Sequence, residues 1–230
     1  MKISKSDVVS LHSSKIAHLQ LGRISVIPTD SCLEALRELP DRTFDLIAVC
    51  PPFDPSERIG PFKLESRDYV DHWSERVTEA SRLITDQGGM MIYGLPKWLP
   101  FLGIAAGTTL SFRNWIAIRV WNDPVAGSPM VPTQAGLLIY ERDSRRSMIN
   151  RVRIPHPRCR ACEDLLSDWG GHKDKCNPAG VTMSDVWLQI PDETTIVPNL
   201  PNAALVRALT LCTRPGNSVL LVSDLVEARQ

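Results

Sequence analysis

A run of mostly apolar residues, Phe44-Asp45-Leu46-Ile47-Ala48-Val49, ends against Cys50 and two consecutive prolines, Pro51 and Pro52. Such a run suits a strand buried on both faces near the middle of a parallel sheet. Proline has no N–H to give to a ladder and holds its own φ, so the strand cannot continue through the pair. The chain must leave the sheet at the carboxyl edge, which is where open α/β sheets bind ligands. The turn offers backbone carbonyls and, at Phe53, an aromatic ring. Carbonyl oxygens accept hydrogens from an exocyclic amine and a ring stacks on a base, so Cys50, Pro51, Pro52 and Phe53 form a candidate grip for a flipped nucleobase. Pro-Pro-aromatic is also a common loop sequence, and an ordinary loop satisfies the same four residues.

The flanking sequence supplies the rest of a sheet. Arg23 to Pro28 reads as a short strand ending at Thr29-Asp30, and Leu33, Leu36 and Leu39 follow at helical spacing before Pro40-Asp41. A polar loop runs from the proline pair to about Ser66. Tyr69 to Ile84 reads as a helix with Tyr69, Trp73, Val77 and Ala80 on one face, and Gln87-Gly88-Gly89 turns into a strand at Met90 to Tyr93. Trp115 to Trp121 and Gly136 to Tyr140 are further strands, with Trp115, Trp121 and Tyr140 expected in the core. After Pro201, a helix from Ala203 to Cys212 leads through Arg214-Pro215-Gly216 into a strand at Ser218 to Ser223. The strand–helix alternation predicts a parallel α/β sheet. The apolar stretch around Leu99 to Ala106 falls short of the roughly 20 residues of a membrane span. No apolar run follows the basic Met1 to Lys5. The expectation is a cytoplasmic protein with no membrane partner.

Between Arg142 and Trp187 the hydrophobic pattern fades. Lysine plus arginine equals aspartate plus glutamate at 26 each, so net charge does not point to nucleic acid. The distribution does: Arg142, Arg145, Arg146, Arg151, Arg153, Arg158 and Arg160 face a single acid, Asp143, in one short stretch. A stripe of this kind neutralises phosphates in an otherwise neutral protein, and Arg145, Arg146, Arg151, Arg153 and Arg158 are the candidate DNA contacts. A solvated loop with chance arginines is the alternative. Cys32, Cys50 and Cys212 sit among apolar neighbours and read as buried thiols. Cys159, Cys162, His172 and Cys176 instead pair at spacings typical of structural zinc, with Gly170-Gly171 as the bend between the halves. Reduced free thiols are the competing reading. The expected organisation is thus a first core part over 1–141, an arginine-rich recognition and zinc insertion over 142–187, and a last helix and strand over 188–230.

In order along the chain, Asp30 with Leu33, Leu36 and Leu39-Pro40-Asp41, then Phe44-Asp45-Leu46-Ile47, then the proline pair, resemble the opening of the β-class amino-directed DNA methyltransferases. Tyr69 and Trp73, Arg82-Leu83-Ile84, Gly88-Gly89, Gln134 to Arg142, Ser184-Asp185-Val186-Trp187, Pro201 with Leu205, and Pro215-Gly216 continue the resemblance over residues 22 to 222. It implies a Rossmann-like S-adenosylmethionine-dependent methyltransferase sheet and methylation of adenine N6 or cytosine N4 in DNA. It implies donor contacts from Asp30, Pro198, Asn199, Pro201 and Gly216. The sequence departs from the family in four places. Cys50 stands where Asp, Asn or Ser is usual. Ile196-Val197-Pro198-Asn199 replaces a His-Pro and a Gln. Leu221-Val222-Ser223-Asp224-Leu225 replaces a glycine-rich loop, and the usual acidic ribose partner does not follow. These departures imply a sheet incomplete at its donor-binding end. They leave two readings: an enzyme whose donor site a second polypeptide completes, or a non-catalytic relative that binds DNA or a partner protein.

Overall fold

The computed structural model describes residues 19–52, 64–119, 133–143, 145, 148–154, 156, 177–187 and 202–223. The strand before the proline pair, β2 (Phe44–Val49), is central, as its apolar run demands. On one side it pairs in parallel with β9 (Ser218–Val222), which pairs in parallel with β1 (Arg23–Ile27). On the other it pairs in parallel with β3 (Ile84–Gly94), followed outward by β5 (Gln134–Glu141), β4 (Ser111–Arg119) and β8 (Val186–Trp187), in the order β1-β9-β2-β3-β5-β4-β8. The short strands β6 (Arg153–Ile154) and β7 (Val181–Thr182) form a separate antiparallel ribbon.

The sheet is mixed rather than wholly parallel, because β5 runs antiparallel to both β3 and β4. A parallel return needs a crossover, usually helical. An antiparallel return needs none, and that is the course β5 takes after β4.

Helices cover both faces because the strand residues alternate. Leu46, Ala48, Met91, Tyr93, Ile116, Ile139 and Leu221 lie in one cluster with Ala204, Leu205, Ala208 and Leu209 of α4 (Asn202–Cys212). Ile47, Val49, Met90, Ile92, Leu220 and Val222 point the other way. They pack with Leu36 of α1 (Cys32–Glu38), Trp73 and Val77 of α2 (Leu64–Arg82), and Leu99 and Leu102 of α3 (Leu99–Gly107). The stretch around Leu99 to Ala106 is thus a core helix.

Two sequence expectations change here. Gly88 and Gly89 are strand residues inside β3, not a turn. A Cβ on Gly88 would sit 2.6 Å from the Asp45 carbonyl oxygen, and one on Gly89 would sit 2.4 Å from that of Tyr140. They are glycines because backbone approaches them closely. Trp115 is 38% exposed, not core, whereas Tyr140 is buried with its hydroxyl donating to the Gly103 carbonyl (2.9 Å). Trp121 lies outside the described residues. Cys32, Cys50 and Cys212 are buried and not joined in disulfides. No helix among the described residues is long and apolar enough to cross a membrane.

Candidate functional site

Three parallel strands end side by side at one edge. Ile27 of β1 is in register with Val222 of β9, and Val222 with Val49 of β2. Two further bonds hold the outgoing turns together: the Cys50 N–H donates to the Val222 carbonyl (2.8 Å) and the Ser223 N–H to that of Ile27 (3.1 Å). The turn after β1, the proline turn after β2 and the first residue after β9 therefore share one edge. Gly94, Leu95, Pro96, Lys97 and Trp98 leave β3 at the same edge. Trp98 stacks on Tyr69 with ring centroids 5.2 Å apart, and the Lys97 ammonium lies 4.5 Å from the Trp98 ring centroid. This aromatic and cationic group was missed in the sequence. Its signal was Gly94-Leu95-Pro96, a second strand stopped by proline.

Within the edge, Cys50 is 3% exposed and belongs to the apolar cluster beneath α4, Pro51 is buried and Pro52 is half-buried. The thiol is packed into the core, so what this turn presents is backbone. Phe53 lies outside the described residues. Asp30 is exposed on the turn between β1 and α1, and its carboxylate makes no hydrogen bond or ion pair with the described residues. It is not the helix cap: Ser31 holds that position, with no side-chain cap bond.

Gly216 does not come to this edge. It precedes β9, at the opposite end of that strand from Ser223, with φ +86 and its N–H on the Gln20 carbonyl (2.9 Å). A positive φ in the turn entering the strand explains the glycine without a ligand. Pro198, Asn199 and Pro201 lie outside the described residues. Leu221 and Val222 do not obstruct the edge, because both are strand residues buried on opposite faces of the sheet.

The arginines of the stripe do different things. Arg142 donates to the Ser81 carbonyl and Arg153 to the Gly180 carbonyl (2.6 Å). Arg145 and Arg151 are exposed, and neither side chain bonds a described residue. Arg146 and Arg158 lie outside the described residues. So do Cys159, Cys162, His172 and Cys176; among the described residues no cluster of metal-binding side chains occurs. Trp187 is buried and donates its indole N–H to the Ser184 carbonyl (3.0 Å), and β8, which contains it, pairs with β4 in the main sheet.

Among the described residues, a seven-stranded sheet with helices on both faces and a proline-stopped central strand defines an α/β protein, and open sheets of this kind bind ligands at the strand ends. No family model matches the chain. A type II methyltransferase of Bacillus amyloliquefaciens, M.BamHI, is 31% identical over 198 residues, covering 82% of this chain and 47% of that protein. The chain is thus similar in sequence to a type II methyltransferase, and it spans about half the length of that relative. Looser likenesses in fold are found to a DNA modification methylase of Thermus thermophilus in complex with S-adenosylmethionine (TM-score 0.48, 12% identity, 88% of this chain and 90% of that one). M1.HpyAVI is similarly distant (TM-score 0.49, 10% identity, 88% and 93%).

Proposed function

We propose that this chain contributes the base-holding edge of an S-adenosylmethionine-dependent DNA methyltransferase that acts on an exocyclic amine, adenine N6 or cytosine N4. The observation that carries the reading is the convergence of Asp30, Cys50-Pro51-Pro52 and Ser223 at one sheet edge in a chain related to M.BamHI. The backbone of the proline turn accepts the amine hydrogens and Phe53 stacks on the base. The Cys50 thiol, a weak acceptor packed into the core, takes little part. Asp30, exposed and unengaged, fits a donor-binding role as a hydrogen-bond acceptor at the end of β1. S-adenosylmethionine supplies the methyl group and its leaving group. The chain's own residues orient the amine for in-line attack and exclude water. Pro198, Asn199 and Pro201 belong to this proposal as donor contacts implied by resemblance, and a second polypeptide completes the donor side.

Structural zinc is part of the same reading. The β6–β7 ribbon pairs Ile154 with Val181, and His156 meets the Asn177 carbonyl at 2.8 Å, so the segment carrying Cys159, Cys162, His172 and Cys176 starts and ends at one neck. Three thiolates and an imidazole form a donor set suited to tetrahedral zinc and leave no position for catalysis. Elemental analysis is expected to give about one zinc per chain, the number of sites that one such set of four ligands makes. Protein purified without chelator and free of zinc would refute it.

The test of function is incubation with duplex DNA and labelled S-adenosylmethionine, with and without candidate partner chains, followed by mass spectrometry of the nucleosides. N6-methyladenine or N4-methylcytosine is the expected product. Methylation at a ring carbon, or none with any partner, would overturn the reading.

A further inference from the structure

Arg151, two residues before Arg153 of β6, has an exposed side chain that bonds no described residue. It lines a cavity of about 260 Å³ at the far end of the sheet from the proline turn. The second cation in that wall is Arg113. Phe112 pairs with Tyr140 and Asn114 with the next residue along, Ile139, so Arg113 is the extra residue of a β-bulge in β4. Bulges re-aim side chains, and this one sends a guanidinium to a cavity that regular pairing would deny it. Asn114 and Thr182 add an amide and a hydroxyl, neither side chain bonded to a described residue. Ile149, Met183 and Leu211 make an apolar floor.

No aspartate or glutamate lines this cavity. Glu141 bears on Arg113 from the side: one oxygen lies 3.7 Å from Arg113 Nε, too long for a strong charge-assisted bond, while the other accepts the Met148 N–H (2.8 Å). The carbonyls ending α4 would oppose an anion, but Asn150 occupies them. Its amide donates to Thr210 (3.1 Å) and Thr213 (2.6 Å), and its backbone N–H to Leu211 (2.7 Å). Those bonds also fix the backbone immediately before Arg151. Two guanidiniums facing one cavity repel each other until an anion lies between them.

We propose that this cavity binds a phosphate ester, its oxygens held by Arg113 and Arg151 with Asn114 and Thr182, and its organic part on the apolar floor. The ester comes either from a free nucleotide or from a DNA backbone. β4 runs parallel to β2, and Arg113 lies near its start, so the site is separate from the base-holding edge and its occupation does not depend on methyl transfer.

The Met183 methyl, in the cavity wall, is a local reporter by ¹³C NMR. A deoxynucleoside monophosphate is expected to shift that resonance saturably, and inorganic phosphate more weakly, since it lacks the organic part. Arg151→Gln removes an exposed, unpartnered side chain and should keep the parent melting temperature while weakening nucleotide binding roughly tenfold. Arg151→Lys, with the charge but not the fork, should fall between them. If a short duplex produces the same Arg151-dependent shift, the ester is in DNA; if only the mononucleotide does, it is free. No shift with millimolar mononucleotide or duplex, or binding indifferent to both Arg151 variants, would overturn the proposal.

Discussion

Single residues in this chain divide by what their polar atoms already hold. Arg153 is engaged with Gly180, so reversing its charge would disturb the β6–β7 ribbon as well as any phosphate contact. Arg145 and Arg151 are the cleaner probes of DNA binding. Arg145→Glu with Arg151→Glu should weaken binding of every sequence alike and flatten the salt dependence by about 1 unit of slope per lost phosphate contact. Fluorescence anisotropy across a salt series measures both, and affinity indifferent to salt would remove the nucleic-acid role. Cys212 offers a residue-level test of the core. Burial first, then the charge of Glu141, pushes its thiol far above the ordinary range. The folded state keeps that proton where the unfolded state, near its ordinary value of 9.0, releases it. The folded state then binds more protons above about pH 9, so stability falls from there as pH rises toward the raised range of the folded thiol. Alkylation at neutral pH should spare Cys212 until denaturant is added; rapid modification of the native protein would contradict the burial.

At the scale of elements, the carboxylate of Asp45 ties three strands at their starts. Its oxygens accept the Ser218 N–H (2.8 Å), the Ser218 hydroxyl (3.0 Å) and the Thr85 hydroxyl (3.2 Å), linking β2 to β9 and β3. Asp45→Ala should cost about 1–3 kcal/mol, because it strands these donors in a partly buried place. Gly89→Ala should cost about as much through overpacking against the Tyr140 backbone. Denaturant titration reads both, and a neutral Gly89→Ala would mean that β5 can yield. The same elements explain what the sequence disclosed. β2, β9 and α4 were legible because their apolar runs are bounded by Pro-Pro, Pro-Gly and Pro. The antiparallel course of β5, the bulge at Arg113 and the core placement of α3 were not, because each depends on a neighbouring strand or helix rather than on local pattern. The candidate edge was legible only at its proline turn. That Cys50 faces the core and Gly216 lies at the wrong end of β9 are facts of register, invisible without the pairing partners.

At the scale of the molecule, the strand-end edge proposed to hold the base is better furnished than the side proposed to hold the donor. β9 pairs directly with β1 through every residue from Val222 back to Ser218, leaving no space for a strand between them. Beyond Ser223 the sequence Asp224-Leu225-Val226 has no glycine to let a cofactor approach the backbone. Asp30 is an exposed carboxylate at that edge that neither a cap nor an ion pair with a described residue consumes. One carboxylate without a close backbone cradle gives weak hold on S-adenosylmethionine, so calorimetry on the chain alone should show little or no binding. Adding a polypeptide that supplies a glycine-rich donor loop should restore both binding and methyl transfer. In that assembly Phe53→Ala should cut the rate sharply, because base stacking is worth about 1–3 kcal/mol. Cys50→Ser, by contrast, should leave the rate of the folded protein nearly unchanged, since the thiol faces the core and the turn offers its backbone. Tight donor binding and rapid DNA methylation by the chain alone would instead place the donor at Asp30 and the Pro198 segment without outside help. Phe53→Ala would then test base stacking in the single chain.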